Sequence, residues 1–104
     1  MQMTIDAIRN KIKGGTYLFS DHAVKRMIKR NVARQEVESV ILAGDIIEEY
    51  PDDKYSPSCL IYGKTQAGRD LHIQVSCPPS VVVITVYEPD PEEWVNSRTR
   101  RQMQ

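Results

Sequence analysis

Residues 81–87, VVVITVY, are the most strand-like stretch of the sequence and decide its fold class. β-Branched and aromatic side chains at every position favour an extended strand. Two further strand-like runs, residues 58–64 and 71–75, precede it and flank the turn at residues 65–68, where Gly68 suits a position with positive φ. Consecutive strands joined by short turns predict an antiparallel sheet rather than a parallel Rossmann-type sheet.

The first half of the chain shows helical periodicity instead. We predict a helix capped by Thr4 and ended by Gly14-Gly15, a second helix from the N-cap Ser20 to Asn31, and a third over about residues 34–43. The apolar residues of the second helix share one face, which is predicted to be buried: Ala23, Val24, Met27 and Ile28.

Together these elements predict a single α+β domain over residues 1–104. The N-terminal helices would pack on one face of an antiparallel sheet of three or four strands, with residues 46–50 as the additional strand. Pro91 suits the start of a short C-terminal helix carrying Trp94. The predicted core comprises Ile8, Met27, Val37, Ile41, Ile73, Ile84 and Val86.

Several classes of protein and site are excluded by what the sequence lacks. It has no apolar run of about 18 residues and no N-terminal signal peptide pattern, so we expect a bacterial cytoplasmic protein without a membrane segment. Cys59 and Cys77 do not form a CxxC motif and are expected to be reduced. The nucleophile-elbow, P-loop, dinucleotide and zincin motifs are absent. We assign no metal site and no cofactor.

Charge is distributed unevenly along the chain, although the net charge is zero. Residues 1–34 hold eight Lys/Arg and two Asp/Glu, whereas residues 35–93 hold three Lys/Arg and twelve Asp/Glu. This distribution is compatible with a polyanion-binding face opposite an acidic one. It is equally compatible with a solvated surface on which charges happen to segregate.

The candidate functional residues lie on the second helix and on two strands. His22, Arg26 and Arg30 are spaced i, i+4, i+8 and form one polar ridge with Lys29 beside it. The second histidine, His72, alternates with apolar residues of its strand and is predicted on the polar face.

The last strand can bring further polar groups to the His72 face. If Val82, Ile84 and Val86 point into the core, Thr85 and Tyr87 share the outer face with His72. Imidazole, phenol and guanidinium groups would then suit phosphodiester chemistry, and His22, Arg26 and His72 should line one cleft. The alternative is that His22 only bonds a neighbour near the helix start and that Arg26 and Arg30 form a solvated ridge.

Four segments taken together carry a family resemblance: residues 19–30, FSDHAVKRMIKR; 46–51, IIEEYP; 68–73, GRDLHI; and 84–90, ITVYEPD. Over about residues 17–96 the chain resembles domain-of-unknown-function family 4258. Members of that family resemble RelE/ParE-like toxins of toxin–antitoxin pairs, often encoded beside a zinc-finger or helix-turn-helix antitoxin.

This resemblance implies a metal-independent endoribonuclease, or mRNA interferase, of RelE-like fold, with a cognate antitoxin as partner. Carried onto this chain, its motifs correspond to His22, Arg26 and Arg30 on the helix and to Arg69 and His72 on the strand. Together with the strand register above, we predict catalytic roles for His22, Arg26, His72 and Tyr87, and substrate-binding roles for Lys29, Arg30, Arg69 and Thr85. A non-catalytic module that binds protein or nucleic acid remains the alternative. For the antitoxin, we predict contacts with the acidic segment 36–53 and an exposed sheet edge.

Overall fold

In a computed structural model of the chain, the described residues are 5–54 and 56–101, and they form three helices and seven strands. The elements in chain order are α1 (Ile5–Lys13), β1 (Leu18–Phe19), α2 (Asp21–Arg30), α3 (Arg34–Ala43), β2 (Asp45–Tyr50), β3 (Ser58–Lys64), β4 (Asp70–Ser76), β5 (Val82–Tyr87), β6 (Trp94–Val95) and β7 (Thr99–Arg100). The α+β class and the three helices agree with the sequence prediction. The predicted cap Thr4 lies outside the described residues.

The main sheet is five-stranded and mixed, so the prediction of three or four antiparallel strands was wrong. Its strand order is β1-β5-β4-β3-β2, and β2 to β5 form an antiparallel meander. The added strand β1 pairs in parallel with β5, Leu18 opposite Val82. With two residues, β1 is too short to show strand periodicity, which explains why the sequence did not reveal it.

The predicted C-terminal helix is also wrong. The Asp90 carbonyl accepts hydrogen bonds from the backbone N–H groups of Glu93 and Trp94, which closes one turn only. The chain then forms β6, turns through Asn96 and Ser97 with φ of 51° and 63°, and returns as β7. Two consecutive left-handed residues cannot continue a right-handed helix. Residues 94–100 are called the C-terminal hairpin below.

Helix α2 is capped at both ends as its sequence predicts. Ser20 Oγ accepts from Ala23 N at 3.0 Å and donates to the Ile84 carbonyl at 2.7 Å. Asn31 ends the helix with φ of 55°. Because the cap residue also bonds to β5, the start of α2 is held against the sheet.

Gly44 ends α3, and it is required there for close packing and not for a left-handed backbone conformation. Gly44 has an ordinary φ of −84°. A Cβ atom at this position would lie 2.3 Å from the Tyr62 carbonyl oxygen on β3. Gly44 therefore allows a close approach of α3 to the sheet.

One core lies between the three helices and the sheet. Of the residues predicted there, five are fully buried in it: Ile8, Val37, Ile41, Ile73 and Val86. Met27 packs against its edge, half-buried. Ile84 is outside this cluster, which contradicts its prediction.

A β-bulge in β5 explains the position of Ile84. Val75 of β4 pairs with Val83, and the next pair is Gln74 with Thr85, so Ile84 is the extra residue. The bulge shifts the alternation, and Val83 rather than Ile84 enters the helix-side core.

The C-terminal hairpin covers part of the opposite, outer face of the sheet. Trp94 is 2% exposed, and its ring centroid lies 4.4 Å from that of the fully buried His72. Arg100 adds an ion pair to Glu48 and stacks over Trp94 at 4.6 Å. The molecule thus has three layers: helices, sheet and hairpin.

We expect Trp94→Ala to lower the free energy of unfolding by about 3–5 kcal/mol, because it removes a large buried side chain from the hairpin. Urea unfolding followed by circular dichroism measures this. Val95→Ala is the matched control, since Val95 is 38% exposed, and its effect should stay within about 0.5 kcal/mol. Similar small effects for both would show that the hairpin does not dock stably on the sheet.

Candidate functional site

Helix α2 carries the positive surface of the molecule, which we call the α2 basic face: His22, Lys25, Arg26, Lys29 and Arg30. Arg26 is half-buried and the other members are exposed. Across the described chain, none of these side chains makes a hydrogen bond or ion pair to another described residue. The positive charge of this face is therefore available to a ligand.

Apart from Lys11 and Lys13 on α1, most cationic side chains elsewhere in the described residues are engaged internally. Arg9 donates to the carbonyls of Ile41 and Gly44. Further cations bond to carboxylates or carbonyl oxygens: Arg34, Lys64, Arg69, Arg98, Arg100 and Arg101. The contrast with α2 shows that free cations are not a general property of this surface.

Several carboxylates of the acidic segment 36–53 are paired within the protein. Glu38 pairs with Arg34, Asp45 pairs with Arg98, and Glu48 pairs with Arg100. The prediction that this segment binds an antitoxin stays a prediction, but these carboxylates already have cationic partners.

The apolar residues of α2 are not uniformly buried, contrary to the sequence prediction. Ala23 is fully buried, whereas Val24 is 42% exposed and Ile28 is 76% exposed. Val24 and Ile28 line an open cavity of about 420 Å³, together with Phe19, Arg34 and other residues. Apolar surface therefore adjoins the α2 basic face.

His22 and His72 occupy opposite environments. His22 lies exposed in the first turn of α2, where its imidazole is accessible. His72 is fully buried on β4 beneath the C-terminal hairpin. Because His72 has no exposed surface, the structure does not bring it into an open cleft with His22 and Arg26.

Both ring nitrogens of His72 are occupied. Nε2 lies 2.5 Å from the Ser97 carbonyl oxygen, and Nδ1 lies 3.2 Å from Tyr87 Oη. A carbonyl can only accept, so Nε2 carries the proton and Nδ1 accepts from the phenol. Burial lowers the pKa of His72, against the opposing effect of the Ser97 carbonyl. His72 is thus held neutral, as a bridge between sheet and hairpin.

Tyr87 lies on the outer face of the sheet with His72, as the sequence predicted. Tyr87 lies opposite His72 in the β4–β5 ladder, and burial raises the pKa of its phenol. Thr85 lies opposite Gln74 and is half-buried. It lies on the outer face of the sheet, whereas α2 packs on the other face. These contacts indicate a structural role for the His72–Tyr87 pair in this arrangement.

Arg69 holds the other end of α2. Its guanidinium donates to the carbonyl oxygens of Arg30 and Asn31, each at 2.9 Å, and pairs with Glu88 at 3.2 Å. A cation at a helix C-terminus is favoured by the exposed carbonyl groups there. Arg69 therefore fixes α2 to the β3–β4 turn and is not a free phosphate ligand.

Lys25 is the member of the basic face that the sequence interpretation missed. It lies four residues before Lys29 and is exposed. The i, i+4 spacing of two lysines could have identified it.

In the part of the chain that the structure describes, no group of three or more His, Cys, Asp or Glu is arranged to hold a metal ion. Nor does that part contain a helix long and apolar enough to cross a membrane.

A family profile described as domain of unknown function (DUF4258) matches residues 19–88. The chain belongs to the DUF4258 family. The matched range runs from Phe19 of β1 to Glu88 and stops before the C-terminal hairpin. Comparisons with curated proteins and with solved structures found no match.

Residues 68–72, which belong to one of the segments that carry the family resemblance, connect several parts of the fold. Gly68 has φ of 85° in the β3–β4 turn, and Arg69 caps α2. Leu71 enters the helix-side core, while His72 faces the hairpin. The motif thus joins the three layers.

We expect the free energy of unfolding to decrease as pH falls below about 6.5. The folded state holds the pKa of His72 below its ordinary value, so the unfolded state binds the proton more readily and acid favours unfolding. Urea titrations at neutral and mildly acidic pH measure the change. In NMR, the His72 imidazole should titrate below the ordinary histidine range.

The two histidines provide a matched control for this effect. His72→Gln should reduce the loss of stability on acidification, because the buried titrating group is gone. His22→Gln alters an exposed side chain and should leave that loss unchanged. An unaltered pH dependence in His72→Gln would contradict the assignment.

Proposed function

We propose that this protein binds RNA through the α2 basic face and acts as the toxin component of a bacterial toxin–antitoxin pair. The observation that carries the proposal is the set of accessible cations on α2 without internal partners. Lys and Arg bind phosphates by charge and by releasing condensed counterions, so unpaired cations on one helix favour a polyanion.

The geometry of α2 suits a single strand of RNA. From His22 to Arg30 the helix rises about 12 Å, which presents the cations as a row. Val24 and Ile28 supply exposed apolar surface beside that row. Bases that are not paired in a duplex can contact such surface while the backbone follows the charges.

For catalysis, we propose metal-independent cleavage in which His22 is the general base. Its imidazole would take the proton from a ribose 2′-hydroxyl, whose oxygen then attacks the adjacent phosphorus. The bond from phosphorus to the 5′-oxygen breaks, and water protonates the leaving oxygen. Arg26 and Arg30 would stabilise the charge that develops on the phosphate oxygens. His72 is buried and takes no part in this scheme.

A second candidate is a non-catalytic module that binds an acidic protein segment such as a cognate antitoxin of zinc-finger or helix-turn-helix type. The observation that favours it is the cavity of about 420 Å³ lined by Val24, Ile28 and Arg34 among others. Apolar side chains beside cations match an amphipathic acidic helix. The exposed row of cations along α2 favours RNA over this alternative.

We expect the double variant Lys25→Ala/Lys29→Ala to bind single-stranded RNA more weakly than the wild type. Each lost phosphate contact should reduce the slope of log affinity against log salt by about 0.7. Fluorescence anisotropy with a labelled RNA 20-mer at several salt concentrations measures both quantities. Lys13→Ala, an exposed lysine on α1, is the matched control and should change neither. An equal loss in the control would mean that binding follows net charge and not the α2 face.

His22→Ala should lower RNA cleavage by about 10²–10⁴-fold if His22 is the general base. RNA affinity should fall little, since Lys25, Lys29 and the arginines remain. Cleavage of a labelled RNA and growth arrest on expression are the two measurements. Wild-type protein that binds RNA without cutting it would overturn the catalytic role of His22 and leave RNA binding by the α2 basic face in place.

A further inference from the structure

A second cavity, of about 480 Å³, lies on the outer face of the sheet beside the region that the C-terminal hairpin covers. Its lining combines aliphatic and polar side chains, including Asp53, Gln74, Ser76, Val82 and Ile84. It is distinct from the cavity next to α2, with which it shares no lining residue.

The β-bulge creates the apolar floor of this cavity. Because Ile84 is the extra residue between the pairs Val75–Val83 and Gln74–Thr85, it leaves the helix-side core and lines the cavity instead. Val82 lines it as well and is half-buried. Bulges commonly redirect a side chain next to a binding site.

One wall of the cavity is a preorganised set of hydrogen-bond acceptors. Gln74 Nε2 donates to Asp53 Oδ2 at 3.3 Å and to Ser58 Oγ at 3.1 Å. Ser58 is fully buried, and its hydroxyl donates to Asp53 Oδ2 at 2.7 Å. Both amide protons of Gln74 are therefore used. No described residue donates to Gln74 Oε1, so this oxygen and the Asp53 carboxylate are acceptors for a ligand.

The cavity and the start of α2 lie on opposite sides of the same sheet edge, where the chain before α2 runs beside β5. Ser20, the N-cap of α2, bonds to the carbonyl of Ile84, whose side chain lines the cavity. His22 lies two residues further along the same helix end. A strand whose phosphates follow α2 would have to cross this edge beside Ser20, at the His22 end of the helix, to place a base in the cavity.

We propose that this cavity binds one unpaired base of the RNA strand, and that it prefers a base with an exocyclic amino group, such as cytosine, over uracil. The proposal rests on RNA binding by the α2 basic face. A planar base fits between Val82 and Ile84 by apolar contact, and its amino group donates to Asp53 or Gln74. Uracil has an oxygen at position 4 in place of the amino group. This oxygen would face the acceptors with no proton to donate, so the hydrogen bond would not form.

The test compares oligocytidine and oligouridine 8-mers, which carry the same backbone charge and the same ring size. We expect the wild type to bind oligocytidine about tenfold more tightly in anisotropy titrations. Asp53→Asn replaces the acceptor carboxylate by an amide of the same shape, so the preference should fall toward one. The salt dependence should stay as in the wild type, because the phosphate contacts are unchanged. Thermal unfolding of Asp53→Asn checks that the fold is retained.

Val82→Lys is a second test variant, and it leaves the hydrogen bonds among Asp53, Ser58 and Gln74 in place. It fills the floor of the cavity and adds a cation, so overall RNA affinity should not fall while the cytosine preference is lost. The double variant Lys25→Ala/Lys29→Ala should behave in the opposite way, weakening both oligonucleotides and keeping their ratio. This pair of variants separates base binding from phosphate binding.

Equal binding of the two oligonucleotides by the wild type would overturn the base site. If that binding still depended on salt and were lost in the Lys25→Ala/Lys29→Ala variant, the proposed function would remain intact. Binding of neither oligonucleotide at low salt would overturn both. A preference that persists in Asp53→Asn and in Val82→Lys would place the base elsewhere. If an arginine-rich peptide abolishes the preference while phosphate binding continues, the cavity belongs to a cationic protein segment and the proposal fails.

Discussion

Anchoring of α2 to the sheet at both ends is the constraint on which the surface chemistry depends. Ser20 ties the start of the helix to Ile84 of β5, and Arg69 ties its end to the β3–β4 turn. Ala23 is the fully buried contact between these anchors. Because few α2 side chains are needed for packing, the rest of the helix surface can carry unpaired cations beside exposed apolar residues. The fold tolerates free charge on α2 because hydrogen bonds to the helix termini, together with the packing of Ala23 and Met27, hold the helix in place.

The sequence predicted well those features that neighbouring residues determine. A cap such as Ser20 and a turn glycine such as Gly68 act within a few residues, so their patterns are readable without the fold. Features that arise from distant pairing were missed. The strand β1 exists because Leu18 meets Val82, and the bulge at Ile84 exists because of the register with β4. No local periodicity encodes either, and the alternation rule misplaced Ile84 for that reason.

In the candidate site, too, local spacing predicted some features and distant parts of the chain determined the others. The spacing of His22, Arg26 and Arg30 on one helix correctly predicted an exposed polar ridge, because helical geometry is regular. For His72, alternation correctly predicted the face but could not predict that Trp94 would cover it. That cover comes from a segment beyond the family-matched range, 19–88. A residue in a shared motif can thus be exposed or enclosed depending on what the flanking chain adds.

The two faces of β5 explain how one short strand serves both stability and recognition. Its Val83 and Val86 complete the helix-side core, and Tyr87 bonds to His72 under the hairpin. Had β5 kept strict alternation, Val82 or Ile84 would have competed with these residues for the core. The extra residue resolves the conflict by turning apolar side chains outward, at the cost of an irregular ladder. The half-buried side chains of Val82 and Ile84 thus lie beside ordered acceptors in one cavity. Apolar lining with a few fixed polar groups is the combination that small-ligand sites use, and it is the physical reason to expect a ligand on this part of the sheet.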